Sequence, residues 1–389
     1  MPTLLYLHAL APPKSGGSTV VLRRVLSGLD GIEVVTLTDR HFRRQVKAGG
    51  PTIPGDYRWF LRTPGWFTGS LVGRAVTAAL DLVLAVLAGV TGAAIVRRRR
   101  ASWVLSVVDN GFSVVAGTVA ARLAGVPHLI WVFDLWEENA YAEVDRWVAA
   151  RLEGPLWRSV DALICHAQEM SDHYERKYGV PAVVLPTPVD AGLEPAPGPA
   201  GAGAPGAERE VLYAGAMYWA QEEALRRLAR VCARTDGVRL TVVGEAEELR
   251  AAGIEADRVE PRTSPEEFQQ RVRRADVAFL GLSFGTAHPE LIATATPARL
   301  PEYMAAGVPL LIHAPAGSHV AEYARREDFA EVVDTADDDA LARGLRRVLD
   351  NPATGTIRAR RARELAVERH DAVRVRAAAR DLLMSLRDR

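Results

Sequence analysis

At 389 residues, 48% of them apolar and 25% charged, the chain has the length of two ordinary domains and the composition of a folded globular protein. Its 48 basic and 48 acidic side chains balance, so nothing global points to a nucleic-acid partner. Cys165 and Cys232 stand far apart without metal-like spacing, which excludes a disulfide scaffold and suits a reducing compartment.

The charge is unevenly placed. Residues 1–100 hold fourteen basic and five acidic side chains, an asymmetry that suggests an anionic partner near the first domain. Solvation of an ordinary surface is the plainer alternative.

The opening run, MPTLLYLH, is apolar but has no basic n-region, and reads as a first strand rather than a signal peptide. Strands are then expected at residues 33–37, 104–108, 129–133 and 162–165, with helices at 18–29, 111–124 and 142–158. Short apolar runs alternating with longer amphipathic ones are the pattern of a parallel α/β sheet. Residues 82–96 are apolar and end in four arginines. As a helix they span roughly 22 Å, short of a bilayer core of about 30 Å, so a buried helix with a basic C-terminus is expected. Cys165, inside an apolar run, is expected as a buried thiol.

Residues 191–207 read AGLEPAPGPAGAGAPGA, which cannot form a packed core. Strands resume at 210–213, 239–243, 277–280, 309–313 and 331–333, alternating with helices at 221–234, 265–274, 301–306 and 338–349. The expected organisation is therefore a first Rossmann-like lobe over 1–190 and a linker over 191–209. A second Rossmann-like lobe follows over 210–355. A helical region over 356–389 has no strand left to pair and is free to pack back on the first lobe.

In open α/β sheets ligands bind beyond the carboxyl ends of the strands, and three segments there carry chemistry. PPKSGGST follows the first strand. Gly16 and Gly17 permit close backbone approach and Ser18 can cap a helix, although a plain strand–helix turn fits equally. It is neither a dinucleotide fingerprint nor a P-loop. VFDLWEEN sets Asp134, Glu137 and Glu138 beside Trp136. Carboxylates next to aromatics suit sugar hydroxyls and proton transfer, while acids opening a helix explain Glu137 and Glu138 as well. In TATPARLPEYMAAGVP, Thr296 and Pro297 open a helix that Gly307 closes. Its first turn and Arg299 suit a diphosphate, and Glu302 one turn on suits a vicinal diol. An i,i+3 ion pair between Arg299 and Glu302 is the alternative. Asp337 and Asp339 form a DxD but lead into a helix, so they are read as N-terminal helix acids and no metal is expected.

TPARLPEYMAAGVPLL resembles the donor-binding signature of GT-B glycosyltransferases, family 4 and its relatives. More loosely, the glycine loop resembles that family's acceptor-side loop, DLWEEN its catalytic segment, VLYAGAMYW (Gly215) the strand opening its second lobe, and LTVVGEAEEL (Gly244) the next strand and turn. The resemblance implies a GT-B fold of two Rossmann-like lobes with a cleft between them. It implies a metal-independent, hexosyltransferase-like enzyme with a nucleotide diphosphate sugar as co-substrate and no cofactor. The donor would be held by Gly215, Gly244, Arg262, Thr296, Pro297, Arg299, Leu300 and Glu302. The acceptor, lipid-linked or a small natural product, would be bound by Gly16, Gly17, Ser18, Trp136, Glu137 and Glu138, with Asp134 as base or orienter. The chain departs from the family at position 294, where Thr stands in place of an acid that touches the donor sugar. An epimerase or hydrolase of the same fold and a non-catalytic nucleotide-sugar-binding module are the alternatives.

A cytoplasmic location is expected, with peripheral contact at the inner membrane face left open. For that contact the basic residues and the aromatics Tyr57, Trp59, Phe60, Trp66 and Phe67 are the candidates, and core packing is the alternative for the aromatics.

Overall fold

A computed structural model describes residues 1–10, 17–49, 52–63, 70–108, 111–139, 143–190, 208–215 and 218–387. The linker at 191–207, together with Gly16, Trp66 and Phe67, lies outside the described residues. The chain divides into two compact units, Met1–Pro186 with Val373–Arg389, and Thr187–Ala372.

The first unit runs β1 (Thr3–His8), α1 (Gly17–Leu26), β2 (Glu33–Asp39), a 3-10 turn (Arg40–Phe42), α2 (Arg43–Lys47), β3 (Asp56–Phe60), α3 (Leu71–Arg99) and β4 (Trp103–Val107). It continues through α4 (Phe112–Ala124), β5 (His128–Trp131), α5 (Trp136–Asn139), α6 (Glu143–Trp157), β6 (Ala162–Cys165), α7 (Gln168–Tyr178) and β7 (Val183–Val184). All pairings are parallel, in the order β3-β2-β1-β4-β5-β6-β7. Both faces are covered, so β1 is buried at every position. Leu4 and Tyr6 face α1, through Leu22, Val25 and Leu26, whereas Leu5 and Leu7 face α3 and α4. Each such aliphatic side chain contributes about 1.5–3 kcal/mol by leaving water.

The second unit runs β8 (Arg209–Ala214), α8 (Trp219–Ala233), β9 (Val238–Val243), α9 (Ala246–Ala251), β10 (Arg258–Glu260), α10 (Pro265–Val272) and β11 (Val277–Gly281). Then come α11 (Pro289–Thr294), α12 (Arg299–Ala306), β12 (Leu310–His313), α13 (His319–Glu327), β13 (Glu331–Val333), α14 (Asp338–Asp350) and α15 (Pro352–Arg369). Its sheet is also wholly parallel, ordered β10-β9-β8-β11-β12-β13. In both units the order reverses beside the first strand, between β1 and β4 and between β8 and β11. That is where doubly wound sheets open a crevice.

Residues 356–389 are not one helical region. α15 packs within the second unit through Ala362, Leu365 and Ala366. After a break at His370 and Asp371, α16 (Ala372–Arg387) joins the core of the first unit through Val375, Ala379, Leu383 and Leu386.

The apolar helix read at 82–96 is longer and less buried than the sequence suggested. α3 begins at Leu71, where Ser70 caps it by accepting from Gly73 N–H, and runs 29 residues. Only one of its faces is buried. That face carries Ala85, Ala88, Gly89, Gly92 and Ala93, and a Cβ on Gly89 would lie 2.5 Å from Val119 of α4. Small residues let the two helices approach closely, and most of the bulky ones, Leu84, Ile95 and Val96 excepted, are left outside. Among the aromatics, Phe60 is buried against Phe112 (ring centroids 4.9 Å apart) and Tyr57 stacks on Trp59. These three belong to β3, where Phe60 is core and Tyr57 and Trp59 are half-buried.

Candidate active site

The first unit encloses a concavity of about 850 Å³ at its switch point. Its rim and walls come from the ends of β1 (His8, Leu10), from Val108 and Gly111 after β4, from Phe133, Asp134 and Trp136 after β5, and from α3 and α6. Asp134 follows β5 and is exposed to the concavity. The surrounding protein still strips much of its hydration and raises its carboxyl above the ordinary aspartate range. A carboxylate shifted that way is a better proton acceptor near neutral pH. Among the described residues no side chain donates to it.

Trp136 is buried and forms a wall of the concavity. Its place depends on Gly111, whose φ of +90° disfavours any Cβ and whose added Cβ would come 2.0 Å from the indole ring. Ser18 also lines the concavity, but as the second residue of α1, so it is not the helix cap that the sequence suggested. Gly17 opens that helix.

Glu137 and Glu138 are not brought to the concavity. Lys177 Nζ lies 2.9 Å from Glu137 and 2.6 Å from Glu138, with buried Glu153 3.4 Å away. Burial opposes ionisation of Glu138, but hydrogen bonds from His173 and Lys177 outweigh it and hold the carboxyl at about 2. These acids tie α5 to α7, as helix-opening carboxylates with a basic partner do.

The sequence reading missed His8. It ends β1, is buried, shares a 2.8 Å hydrogen bond between its Nδ1 and the Tyr6 hydroxyl, and lines the same concavity as Asp134. Its position at the carboxyl end of the first strand was the available signal.

In the second unit Gly215 directly follows β8, Gly244 directly follows β9 and Arg299 opens α12. A Cβ on Gly215 would lie 3.8 Å from Arg299 Cγ, and one on Gly244 would lie 3.6 Å from Gly215 O. The three therefore converge at the carboxyl edge of the sheet. Tyr303 fixes α12 there: its hydroxyl accepts from Ala214 N–H (2.8 Å) and donates to Ala214 C=O (3.0 Å).

Arg299 lies 4.3 Å over the Phe268 ring and donates to Glu302, which is buried on the same helix. The i,i+3 ion pair left open by the sequence is thus formed. Leu300, also buried, is a core residue of this face, with its N–H bonded to Pro297 C=O at 2.9 Å.

The helix start offers fewer donors than expected. Thr296 makes no cap, the N-cap is Ala298, and Pro301 has no N–H. Ala298 and Arg299 provide the N–H groups at its open end, so an anion there would rely mainly on the guanidinium.

Arg262 is exposed and paired with Glu248 at 3.1 Å. Thr294 is buried, its hydroxyl bonded back to Glu290 C=O. Asp337 caps α14 through Asp339 N–H, while Asp338 and Asp339 engage Arg227, Arg230 and Arg234. Among the described residues no three His, Cys, Asp or Glu side chains group as a metal site. Both thiols are buried, which pushes each up to about 12.

Residues 208–351 match the family model for glycosyl transferases group 1. No curated protein matches the sequence. Among solved structures, the chain is similar over 99% of its length to a glycosyltransferase from Rickettsia africae ESF-5 (TM-score 0.66, 10% identity, 98% of that chain). It is similar over the same share to Anabaena Alr3699/HepE in complex with UDP-glucose (TM-score 0.68, 15% identity, 100% of that chain). A third is the sucrose-phosphate synthase of Thermosynechococcus elongatus, likewise over 99% of this chain (TM-score 0.64, 15% identity, 98% of that chain). The fold is GT-B. The family match covers part of the second unit, so the likeness to family 4 holds for GT-B architecture and not for a particular family.

Proposed function

We propose that this protein is a glycosyltransferase that moves a sugar from a nucleotide diphosphate sugar to an acceptor hydroxyl or amine. The observation that carries the reading is the convergence of Gly215, Gly244 and Arg299 at the switch point of the second unit, inside the segment matching the group 1 model. The two glycines let a nucleotide approach the strand ends, Arg299 neutralises the diphosphate, and buried Glu302 accepts from the ribose diol. As the glycosidic bond to the diphosphate breaks, Arg299 stabilises the departing charge. The concavity of the first unit takes the acceptor, and Asp134, or His8 beside it in that lining, receives or orients the acceptor proton. Anabaena HepE is seen with UDP-glucose, so a uridine diphosphate sugar is the first donor to try.

The test is a thermal-shift panel of nucleoside diphosphates and their sugars, followed by product analysis with candidate acceptors. A ligand held by the native state raises Tm, and at about a hundredfold over its Kd the gain is about 2.7 kcal/mol. No shift with any of them would refute the reading. Consumption of the donor without an acceptor would point instead to an epimerase or hydrolase.

A further inference from the structure

The outward face of α3 inverts the usual rule for a surface helix. Its inward face against α4 is built mainly of Ala85, Ala88, Gly89, Gly92 and Ala93, while Val72, Val76, Leu80, Val83, Leu87 and Val90 are exposed, Val72 by 73% and Leu87 by 56%. Steps of three and four residues place all six on one stripe. From residue 75 to residue 95 the only charge is Asp81, and it faces away from the stripe, accepting from Thr63 and paired with Arg62. A solvent-facing helix of this length ordinarily carries charges, and an apolar strip running its length marks a covered surface.

Charge says what covers it. Arginines 97–100 are exposed at the C-terminal end of α3. At its other end, Arg74 and Thr77 line the concavity at the carboxyl edge of the sheet. β2 leaves the same edge into residues 40–47, where Arg40, Arg43, Arg44 and Lys47 are all exposed. An apolar stripe bracketed by basic clusters matches a lipid surface with anionic headgroups, where apolar insertion and basic attraction act together. A second copy matches it poorly. Stacked parallel, two such helices would bring both 97–100 clusters together, and stacked antiparallel they would set each against the partner's basic end. α3 is long and apolar enough to cross a bilayer, but its packing on α4 and the sheet holds it as an integral part of the unit.

We infer that the first unit docks peripherally on an anionic membrane, with α3 lying in the interface along its Val72–Val90 stripe. The Asp134 concavity shares α3 as a wall, so docking holds that pocket at headgroup depth. The docking is independent of the transfer chemistry.

The full chain is co-sedimented with vesicles of equal parts phosphatidylcholine and phosphatidylglycerol, and with phosphatidylcholine alone, at low and high salt. Binding is expected on the anionic vesicles at low salt and is expected to fall about tenfold or more at high salt, as screening of exposed charges requires. Val83→Glu with Leu87→Glu should abolish it while circular dichroism and Tm hold, because both side chains are exposed. Arg98→Glu with Arg100→Glu, outside the core, should reduce the salt-dependent part. Three results would overturn the inference: no binding of the wild type at low salt, binding by Val83→Glu/Leu87→Glu equal to wild type, or a dimer that this double variant dissolves. The last would make a second copy the occupant. Nucleotide-induced thermal shifts in the same preparations report the donor site separately.

Discussion

The Arg299 guanidinium donates to the Glu302 carboxylate one turn along α12, so the two groups proposed to hold the donor neutralise each other. On the proposed reading, nucleotide binding draws the Arg299 guanidinium toward the diphosphate. Glu302→Ala should therefore weaken binding of both uridine and UDP, by about 1.5–3 kcal/mol for a lost hydrogen bond to a charged group. Arg299→Ala should weaken UDP far more than uridine, because only UDP carries the charge that Arg299 meets. Calorimetry with the two ligands separates these effects. Unchanged UDP affinity in a folded Glu302→Ala protein would remove Glu302 from the site.

Asp134 sits where loss of hydration raises its carboxyl pKa. A carboxylate shifted this way costs stability once it ionises, so Asp134→Asn should raise Tm at neutral pH while lowering the transfer rate by about 10²–10⁴ if it acts as the base. Donor binding should be unaffected. In the wild type the acid limb of the rate profile should lie above the usual aspartate range. Full activity in Asp134→Asn would shift the role to His8, and His8→Asn is the companion variant.

Gly111 combines a φ of +90° with an indole ring in the space a side chain would occupy. Gly111→Ala should cost about 1–3 kcal/mol from backbone strain alone, and more from displacing Trp136. The urea midpoint measures the first effect. A blue- or red-shifted tryptophan emission reports the second, and an unchanged midpoint would contradict the geometry.

His128 is buried, shares a hydrogen bond with Ser106 at 2.8 Å, and is held at about 3 by burial and, secondarily, by Arg122. The unfolded chain takes up this proton near the ordinary pKa of about 6.5 and the native state does not. Stability from this group is therefore complete above about pH 6.5 and is lost as pH falls toward 3, by up to about 1.4 kcal/mol per pH unit. Carboxylates raised by burial, Glu153 among them, act in the opposite sense. The comparison is thus wild type against His128→Gln. Between pH 7 and pH 5 the variant's urea midpoint should fall less, and parallel slopes would contradict the assignment.

Hydrophobic periodicity and turn chemistry are local, and they made much of the fold readable in advance. β1, β6, β13 and α14 stand within a residue or two of their expected bounds, because runs such as LLYL and ALIC bury on both faces of a parallel sheet. β3 and β10 escaped because edge strands such as DYRWF and RVE carry charge on their open side. The grouping proposed as the second-unit site was open to the sequence for a similar reason. Arg299 and Glu302 share one helix, so their spacing alone brings them together, and the glycines mark strand ends.

The concavity of the first unit was legible only in part, through Ser18, Asp134 and Trp136. Glu137 and Glu138 stand beside Asp134 in sequence, yet Lys177, some forty residues on, takes them both, while His8 reaches the same concavity as Asp134 from the far end of the lobe. Composition established α3 as apolar. Which of its faces would be covered was decided only when Gly89 and Gly92 met α4. The sequence determined by itself the two α/β units, their strand-end glycines and the helix that carries Arg299 and Glu302, since each rests on residues within a few turns of one another. The concavity of the first unit depended on His8 and Asp134 meeting across more than a hundred residues, and the exposed stripe of α3 on Gly89 meeting Val119 thirty residues on, contacts that no local pattern encodes.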